Sequence, residues 1–316
     1  MKMKAPGRYP KNDRYLLLAA KKRLLIKAIV CVGMIAALQQ PIIPAYANAG
    51  DAGFPASSVI AAMPQRQRAG ISRSAASGDG PQWAGTLPVH LADNTHYVSL
   101  YDFSTSLGPA VVTQGANSIT VDAPKLYISA SVGHNYLIAN ERGLFVPTLV
   151  RLINGQVHIP LQTATKAFGA EVVLNTHSNT VTLPEVFSPI EHGDTYYDQT
   201  DVYWLSRIIS LESRHESMSG RIAVGNVIVN RMNSSLFPDS IMDVILDNRH
   251  GVQFPPAHTE RFHTEPNRAS VIAAMLVLEG AMLAEGCLYF NPRGAQSWAS
   301  RNRPFLMTID SHDFYG

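Results

Sequence analysis

Cysteine is nearly absent from the 316-residue sequence, which contains only Cys31 and Cys287. Cys31 lies within an apolar run near the N-terminus, so removal of that run would leave a single thiol. One thiol cannot form an internal disulfide, and it does not provide a cysteine set for a metal. We therefore expect Cys287 to be a buried side chain of a hydrophobic core.

Long apolar runs are also missing, because the run at 28–38 is far shorter than the roughly 20 residues that span a membrane. A basic segment precedes this run, and the small-residue pattern Ala45-Tyr46-Ala47 follows it. This order is typical of a secretory signal peptide, with cleavage expected after Ala47. The sequence thus predicts a secreted, extracytoplasmic protein without a stable membrane span after cleavage. An uncleaved anchor is the alternative.

Positive charge is scarce beyond residue 47. Residues 1–47 hold nine of the 26 Lys and Arg residues and one of the 24 Asp and Glu residues, which leaves 17 basic and 23 acidic residues and a formal charge of −6. Phosphate binding requires a basic face. We therefore expect no nucleic-acid partner, and the sequence does not indicate an oligomeric state.

Changes of composition along the chain indicate two globular domains, in line with about 100–200 residues per domain. Residues 48–86 are rich in Ala, Ser, Gly and Pro and predict a flexible linker. Short β-type runs follow, and helical periodicity begins after residue 199. The predicted organisation is a signal peptide at 1–47, a linker at 48–86, a small α/β domain at 87–184, a second linker at 185–199 and a helical domain at 200–316.

An internal repeat is visible in the first domain. The segment 97–108 resembles 158–169 at an offset of 61 residues, with Val98 corresponding to Ile159. Each copy predicts a strand, a short helix that ends at a glycine, and a further strand. The second copy, 157–183, resembles the copper amine oxidase N-terminal-like stalk domain of secreted bacterial proteins. This resemblance implies a noncatalytic module for wall attachment, and it does not imply copper, because the domain contains no His cluster at metal-ligand spacing.

A glutamate occupies an apolar helix face in the second domain. Apolar side chains recur there at helical spacing, at Val202, Leu205, Ile208 and Ile209. Glu212 is the next position on that face. A carboxylate there loses solvation, so its pKa should rise and it could hold a proton near neutral pH, as a general acid must. The alternative is a structural Glu paired with Arg207 or Arg214.

Four helix patterns followed by two β-type pieces predict an α+β fold for this domain. The first helix is expected at 201–214. The expected N-caps of the next three helices are Ser219, Asp239 and Asn267. The fourth helix is expected to end at Gly286, and the β-type pieces at 288–290 and 305–309 are expected to form a small hairpin.

An ordered set of motifs extends through the same domain. It comprises 205–216, 220–231, Phe237-Pro238, Val244-Ile245, 251–254, Ala273, Glu279-Gly280, 288–292, Ser297-Trp298 and 312–315. Together these motifs closely resemble the SleB-type cell-wall hydrolase family, which includes spore cortex-lytic enzymes, over about residues 200–316. The resemblance implies a mainly α, lysozyme-like fold and an enzyme that cleaves the glycan strands of peptidoglycan in the cell wall or the spore cortex.

The resemblance also implies that Glu212, the first Glu of a Glu-x-Arg-x-Glu segment, is the catalytic acid. A buried Glu protonates the glycosidic oxygen while an oxocarbenium-like centre develops. In a lytic transglycosylase the same carboxylate then deprotonates the muramic 6-hydroxyl and gives a 1,6-anhydro product, with no cofactor or metal. Glu216 lies one helical turn further on, whereas a retaining pair needs carboxyl groups about 5–5.5 Å apart across the sugar. We therefore expect Glu216 to hold the following loop by a hydrogen bond or to pair with an Arg.

Five further side chains are candidates for substrate binding. Gln253 can hydrogen-bond a sugar acetamido group, and Phe254 can pack on the sugar ring. Tyr289 and Trp298 are possible stacking platforms, with core packing as the alternative. His312 either orients the cleft or is a satisfied structural histidine.

Five further residues bear on the site. Asn226 and Asn230 share one face of the second helix, where structural contacts and a substrate-facing role are both possible. His215 stands where the family often has Gly, and Pro255-Pro256 follow the predicted binding loop where the family usually continues with Ser. Both departures lie beside the expected cleft and bear on substrate detail.

Two rival functions also remain. A zinc amidase that cuts the stem peptide would use His250, His258 and His263, but their spacings of 8 and 5 residues do not match a helical His-x-x-x-His pair. A nonenzymatic wall-binding protein is the other rival, and Glu212 on an apolar face argues against it.

Overall fold

The computed structural model of the protein describes residues 83–249 and 251–316. The predicted signal peptide lies outside these residues, as does most of the linker predicted at 48–86. The two regions described below pack together as one unit. None of the described helices is long and apolar enough to cross a membrane.

The N-terminal region is a set of small antiparallel sheets. Its strands are β1 Trp83–Pro88, β2 His90–Ala92, β3 Thr95–Ser99, β4 Val111–Gln114, β5 Ser118–Ala123, β6 Leu126–Ser131, β7 Tyr136–Ala139, β8 Arg142–Phe145, β9 Arg151–Ile153, β10 Gln156–Pro160, β11 Val173–Asn175 and β12 Thr180–Pro184. They form sheets of order β4-β5-β6-β7-β8, β2-β3-β10-β9 and β1-β12-β11. Alternate side chains along β5 and β6 are buried, as expected for strands with one face on a core.

The two copies of the proposed repeat each contain a strand followed by a helix. Helix α1, Leu100–Leu107, follows β3, and helix α2, Leu161–Phe168, follows β10. Strands β3 and β10 pair with each other, with Val98 opposite Ile159. Gly169 ends α2 in the left-handed conformation at φ 57°, where a side chain would also collide with the backbone of Ser188. The strand–helix order agrees with the repeat, which itself stays a prediction.

The C-terminal region combines helices with one small sheet. Its helices are α3 Gly193–Tyr196, α4 Gln199–Glu212, α5 Met218–Met232, α6 Ile241–Ile245, α7 Arg268–Leu278 and α8 Trp298–Asn302. Two 3-10 turns, Pro255–His258 and Glu260–His263, lie before α7. The core of α4, α5 and α7 is lined by side chains such as Leu205, Ile208, Ile222 and Leu276. The predicted α+β class is confirmed.

Several predicted helix boundaries are wrong by one turn or less. Helix α5 is capped by Ser217, whose side chain accepts from the amide of Gly220, and Ser219 lies inside the helix. Helix α6 is capped by Ser240 and not by Asp239. In both cases a neighbouring residue also had a capping side chain, and the sequence pattern did not distinguish the two.

The fourth helix and the terminal sheet also differ from prediction. Asn267 caps α7 as expected, but the helix ends at Leu278, where Gly280 adopts a φ of 97°. The predicted hairpin is part of a three-stranded sheet of order β13-β15-β14, formed by Tyr289–Pro292, His312–Tyr315 and Phe305–Ile309. Strand β15, His312–Tyr315, was not predicted, and it occupies the centre of this sheet. Cys287 is buried behind it as expected.

A buried carboxylate joins the two regions. Glu279 follows α7, and its side chain is 2% exposed. Arg142 Nε and Nη2 donate to its two oxygens at 2.5 and 3.0 Å, and Lys166 Nζ donates at 3.0 Å. The hydroxyl of Tyr197, from the predicted linker at 185–199, donates to the same carboxylate at 3.1 Å. The N-terminal region is thus fixed to the end of α7 by ionic and neutral hydrogen bonds.

Candidate active site

Glu212 is the last residue of α4, at the point where the helix leaves the core. Leu205, Ile208 and Ile209 of the same face are fully buried. Desolvation raises the pKa of Glu212 to about 7. Its position at the negative end of the helix dipole acts in the same direction. The predicted loss of solvation and rise in pKa are confirmed.

No arginine among the described residues pairs with Glu212. Arg207 instead donates to Glu265 at 2.9 Å, and its guanidinium lies 3.5 Å from the ring centre of Tyr203. Arg214 is exposed. Within 83–249 and 251–316, Glu212 Oε1 is buried and has no hydrogen-bond partner. The alternative of a structural ion pair at Glu212 is therefore not supported.

Glu212 opens onto a cleft of about 840 Å³. The walls come from the end of α4, the loop that leads to α5, the segment between the 3-10 turns and α7, and the turn before β15. Glu212, Glu216 and His312 all line this cleft. The other predicted substrate-binding side chains, Gln253, Phe254, Tyr289 and Trp298, are not among its lining residues.

Glu216 accepts hydrogen bonds that hold one wall of the cleft in place. Its carboxylate accepts from the amide of Ser311 at 3.1 Å and from the hydroxyl of the same residue. In the reverse direction, the amide and hydroxyl of Ser217 donate to Asp310 at 2.9 and 2.6 Å. The expected hydrogen-bonding role is present, but the partner is the turn between β14 and β15, and not an arginine or the loop that follows Glu216.

His312 lies beside Glu216 in the cleft wall. The residue is 8% exposed, and its Nδ1 is 4.0 Å from Glu216 Oε1. Phe290 packs edge-on against its ring at 5.3 Å. Nδ1 is buried and has no hydrogen-bond partner among the described residues. His312 is therefore not a satisfied structural histidine, and an orienting role in the cleft stays a prediction.

Phe254 cannot stack on a sugar, and that prediction is wrong. The side chain is 2% exposed, lies 6.3 Å from the ring of Phe290 and faces the guanidinium of Arg231 at 5.1 Å. Gln253 is half-buried, and its amide donates to the carbonyl of Gly251 at 3.0 Å. Aromatic side chains are large apolar groups, and here burial in the core determined the position of Phe254.

Tyr289 and Trp298 form a separate aromatic patch. Their rings are 5.6 Å apart, and the Arg303 guanidinium lies 5.1 and 5.3 Å from them. The Trp298 residue is 55% exposed, whereas Tyr289 is half-buried and also packs near Phe237. Trp298 is therefore accessible for stacking, at a place outside the cleft that contains Glu212.

Asn226 and Asn230 are structural. Asn226 is fully buried, donates to the carbonyl of Ala281 at 2.7 Å and accepts from the amide of Leu283 at 2.8 Å. Asn230 donates to the carbonyl of Ala284 at 2.8 Å. The two amides thus hold the loop after α7 against α5, as the structural alternative proposed.

The two candidate zinc ligands that the structure describes, His258 and His263, do not form a metal site. Among the described residues, the one group of His, Asp and Glu close enough to hold a metal is Glu141, His192 and Asp194, and all three are exposed. His258 and His263 do not belong to it, and His250 lies outside the described residues. The described residues thus give the zinc amidase hypothesis no ligand set in the cleft.

Several lining residues were not singled out as site residues from the sequence, among them Asn267, Arg261 and Ser311. Asn267 caps α7 and contacts Ser210 of α4 at 3.4 Å. Its capping position was recognisable, but its closeness to Glu212 follows from the packing of α4 against α7. Such closeness has no signal in local sequence.

The geometry defines a class of protein: a helical domain with one buried, unpaired acid in an open cleft, joined to a small β-rich domain. Comparison with known proteins agrees with this class. Residues 215–315 match the Cell Wall Hydrolase family, and residues 79–183 match the Copper amine oxidase N-terminal domain. Both predicted resemblances are confirmed. Glu212 lies just before the first of these matched ranges.

Several curated relatives of this chain are named spore cortex-lytic enzymes. Over 119 residues the chain is 34% identical to that of Oceanobacillus iheyensis and 31% identical to that of Bacillus subtilis. The match covers 37% of this chain and 42% and 38% of the two relatives, so the chain spans less than half of their length. The crystal structure of the catalytic domain of the Bacillus cereus SleB protein matches with a TM-score of 0.35 and 28% identity, over 38% of this chain and 92% of that domain.

Proposed function

We propose that this protein cleaves the glycan strands of peptidoglycan, as a lytic transglycosylase, with Glu212 as its catalytic acid. The observation that carries the proposal is the position of Glu212 in the cleft, where no cation of the described residues is paired with its carboxyl group and burial raises its pKa to about 7. The names of the similar proteins, spore cortex-lytic enzymes, support the same substrate class. Spore cortex is therefore the first substrate to test.

The chemistry requires one group that is protonated before the reaction and basic after it. Protonated Glu212 donates to the glycosidic oxygen as the bond to the muramic C1 breaks. The resulting carboxylate then removes the proton of the muramic 6-hydroxyl, whose oxygen closes on C1 and gives the 1,6-anhydro end. A pKa near neutral pH suits both steps, because neither protonation state is strongly favoured.

The other predicted residues have supporting roles in this proposal. Glu216 keeps the cleft wall attached to the turn before β15, and His312 lines the same cleft beside Glu216. Trp298 is available for a more distant sugar, and Gln253 and Tyr289 are weaker candidates because they do not line the cleft. We further propose that the protein acts outside the cytoplasm and keeps the domain division at 87–184 and 200–316.

Analysis of reaction products tests the proposal. Purified peptidoglycan and spore cortex are digested with the protein and with a Glu212→Gln variant, and the fragments are analysed by mass spectrometry. Anhydro-muramic ends are expected from the wild type and not from the variant. New reducing ends would indicate hydrolysis, free stem peptides would indicate an amidase, and full cleavage by the variant would remove Glu212 from the mechanism.

A further inference from the structure

Two unpaired arginines line the same cleft as Glu212. Arg214 lies in the loop that follows α4, and Arg261 lies in the second 3-10 turn. Both side chains are exposed. In the part of the chain that the structure describes, neither guanidinium has a hydrogen bond, an ion pair or an aromatic partner; only their backbone carbonyls accept hydrogen bonds. They are free to bind a ligand.

Among the described residues, the acids that line the cleft are not paired with these arginines. Glu265 is paired with Arg207 at 2.9 Å, and Glu216 accepts two hydrogen bonds from Ser311. The donors of Arg214 and Arg261 therefore remain available to an anionic ligand, in a chain that carries a formal charge of −6 beyond residue 47.

Neither arginine is paired with Glu212 among the described residues, although all three line the same cleft. The guanidinium groups of Arg214 and Arg261 are thus available to a part of the substrate other than the glycosidic bond that Glu212 protonates in the proposed function.

The sugar rings of a peptidoglycan strand are uncharged, and its anionic groups are carboxylates of the lactyl-linked stem peptides. We propose that Arg214 and Arg261 bind a stem-peptide carboxylate, so that the cleft selects muramic residues that carry an acidic peptide over uncharged ones. Arginine suits this task because its planar donors match the geometry of a carboxylate. The inference rests on the proposed function and names the substrate group that the cleft recognises.

Steady-state kinetics on paired substrates test this inference. Soluble glycan fragments that carry stem peptides are compared with the same fragments after conversion of their carboxyl groups to neutral amides. For the wild type, we expect KM to be about three- to ten-fold higher on the amidated fragments, because solvent-exposed ion pairs are individually weak, and kcat to be nearly unchanged. A double variant, Arg214→Gln with Arg261→Gln, should show the higher KM on both substrates. Arg301→Gln, which removes an exposed charge outside the cleft lining, should behave as the wild type.

The outcomes separate this inference from the proposed function. A wild type that cleaves both substrates with the same KM overturns the inference and leaves glycan cleavage in place, as does a double variant that keeps the preference. A wild type that cleaves neither substrate overturns the proposed function and this inference with it. Because both arginines are exposed, the variants should keep the thermal unfolding midpoint of the wild type, which circular dichroism checks.

Discussion

Two buried glutamates, one in the cleft and one at the junction of the two regions, have opposite chemistry. Glu212 has no cation partner in the part of the chain that the structure describes, and desolvation raises its pKa to about 7. Desolvation also acts to raise the pKa of Glu279, but the hydrogen bonds and charges of Arg142 and Lys166 outweigh it, and that pKa is lowered. The same side chain thus holds its proton more tightly in one place and is stabilised as an anion in the other. Neighbouring cations, and not burial, make the difference.

The largest expected effect comes from removing the acid. Glu212→Gln should reduce glycan cleavage by about 10²–10⁴-fold, because general acid–base catalysis contributes that much. The rate of release of soluble fragments, measured at a concentration of folded protein fixed by circular dichroism, checks this. Glu279→Gln serves as the matched control and should keep most of the activity of the molecules that remain folded. Equal losses in the two variants would contradict the distinction between the two glutamates.

The second prediction concerns stability at the junction. Glu279→Gln leaves Arg142, whose side chain is 8% exposed, as a buried cation without a counter-charge. Breaking a buried pair in this way should lower the free energy of unfolding by about 3–5 kcal/mol, measured by urea denaturation at neutral pH. Asp93→Asn, which removes the partner of Arg151 at an exposed ion pair, is the control and should cost less than about 1 kcal/mol. If Glu279→Gln lowered the free energy of unfolding no more than Asp93→Asn does, the buried cluster would contribute no measurable stability.

The third prediction uses the pH dependence of stability. The pKa of Glu212 rises from 4.5 to about 7 on folding, so between these values the unfolded chain releases a proton that the folded protein keeps. Stability should therefore fall as pH increases from about 4.5 to 7, by about 3 kcal/mol in total, and should change no further above that range. Urea denaturation of the wild type and Glu212→Gln across this range isolates the contribution, since the variant lacks it. Parallel profiles for the two proteins would mean that Glu212 titrates normally.

The lowered pKa of Glu279 predicts the opposite sign. Its contribution to stability is present above the ordinary carboxyl pKa of 4.5 and is lost as pH falls through the lowered value. The two glutamates therefore affect different pH ranges. For catalysis, kcat/KM should decrease as pH rises above about 7, because the acid is then ionised.

The smallest effect is expected at the third carboxylate, Glu216, which is held by neutral donors. Ser311→Ala removes the hydroxyl that donates to Glu216 but leaves in place the hydrogen bond of 3.1 Å from the backbone amide of residue 311. We expect a loss of about 1 kcal/mol in stability and a loss of activity smaller than that of Glu212→Gln. Thermal unfolding and the fragment-release assay measure both. An activity loss as large as that of Glu212→Gln would give Glu216 a direct part in the reaction.

The sequence was most informative where a polar side chain interrupted a helical pattern of apolar residues or immediately preceded one. The apolar stripe at Leu205, Ile208 and Ile209 defined α4, and it also placed Glu212 on the buried face. Asn267 was recognisable as a cap because a side-chain oxygen before an apolar run satisfies a free helix amide. Such inferences depend on a few neighbouring residues, and local spacing contains all that they need.

Other features depended on residues far apart in the chain. Phe254 was expected at the substrate, but it packs beneath Phe290 and beside Arg231. The partner of Glu216 is Ser311, 95 residues away, and the partner of Glu279 is Arg142, 137 residues away. No local pattern contains these pairs, because they form only when separate elements pack against each other.

The sequence by itself determined the α+β class, the two family resemblances and the place of Glu212 on a buried helix face. The tertiary structure alone decided that Arg207 pairs elsewhere and that two free arginines share the cleft with this acid. The physical reason is that burial follows from the periodicity of one helix, whereas the pKa of a buried group depends on charges that folding brings to it or keeps away.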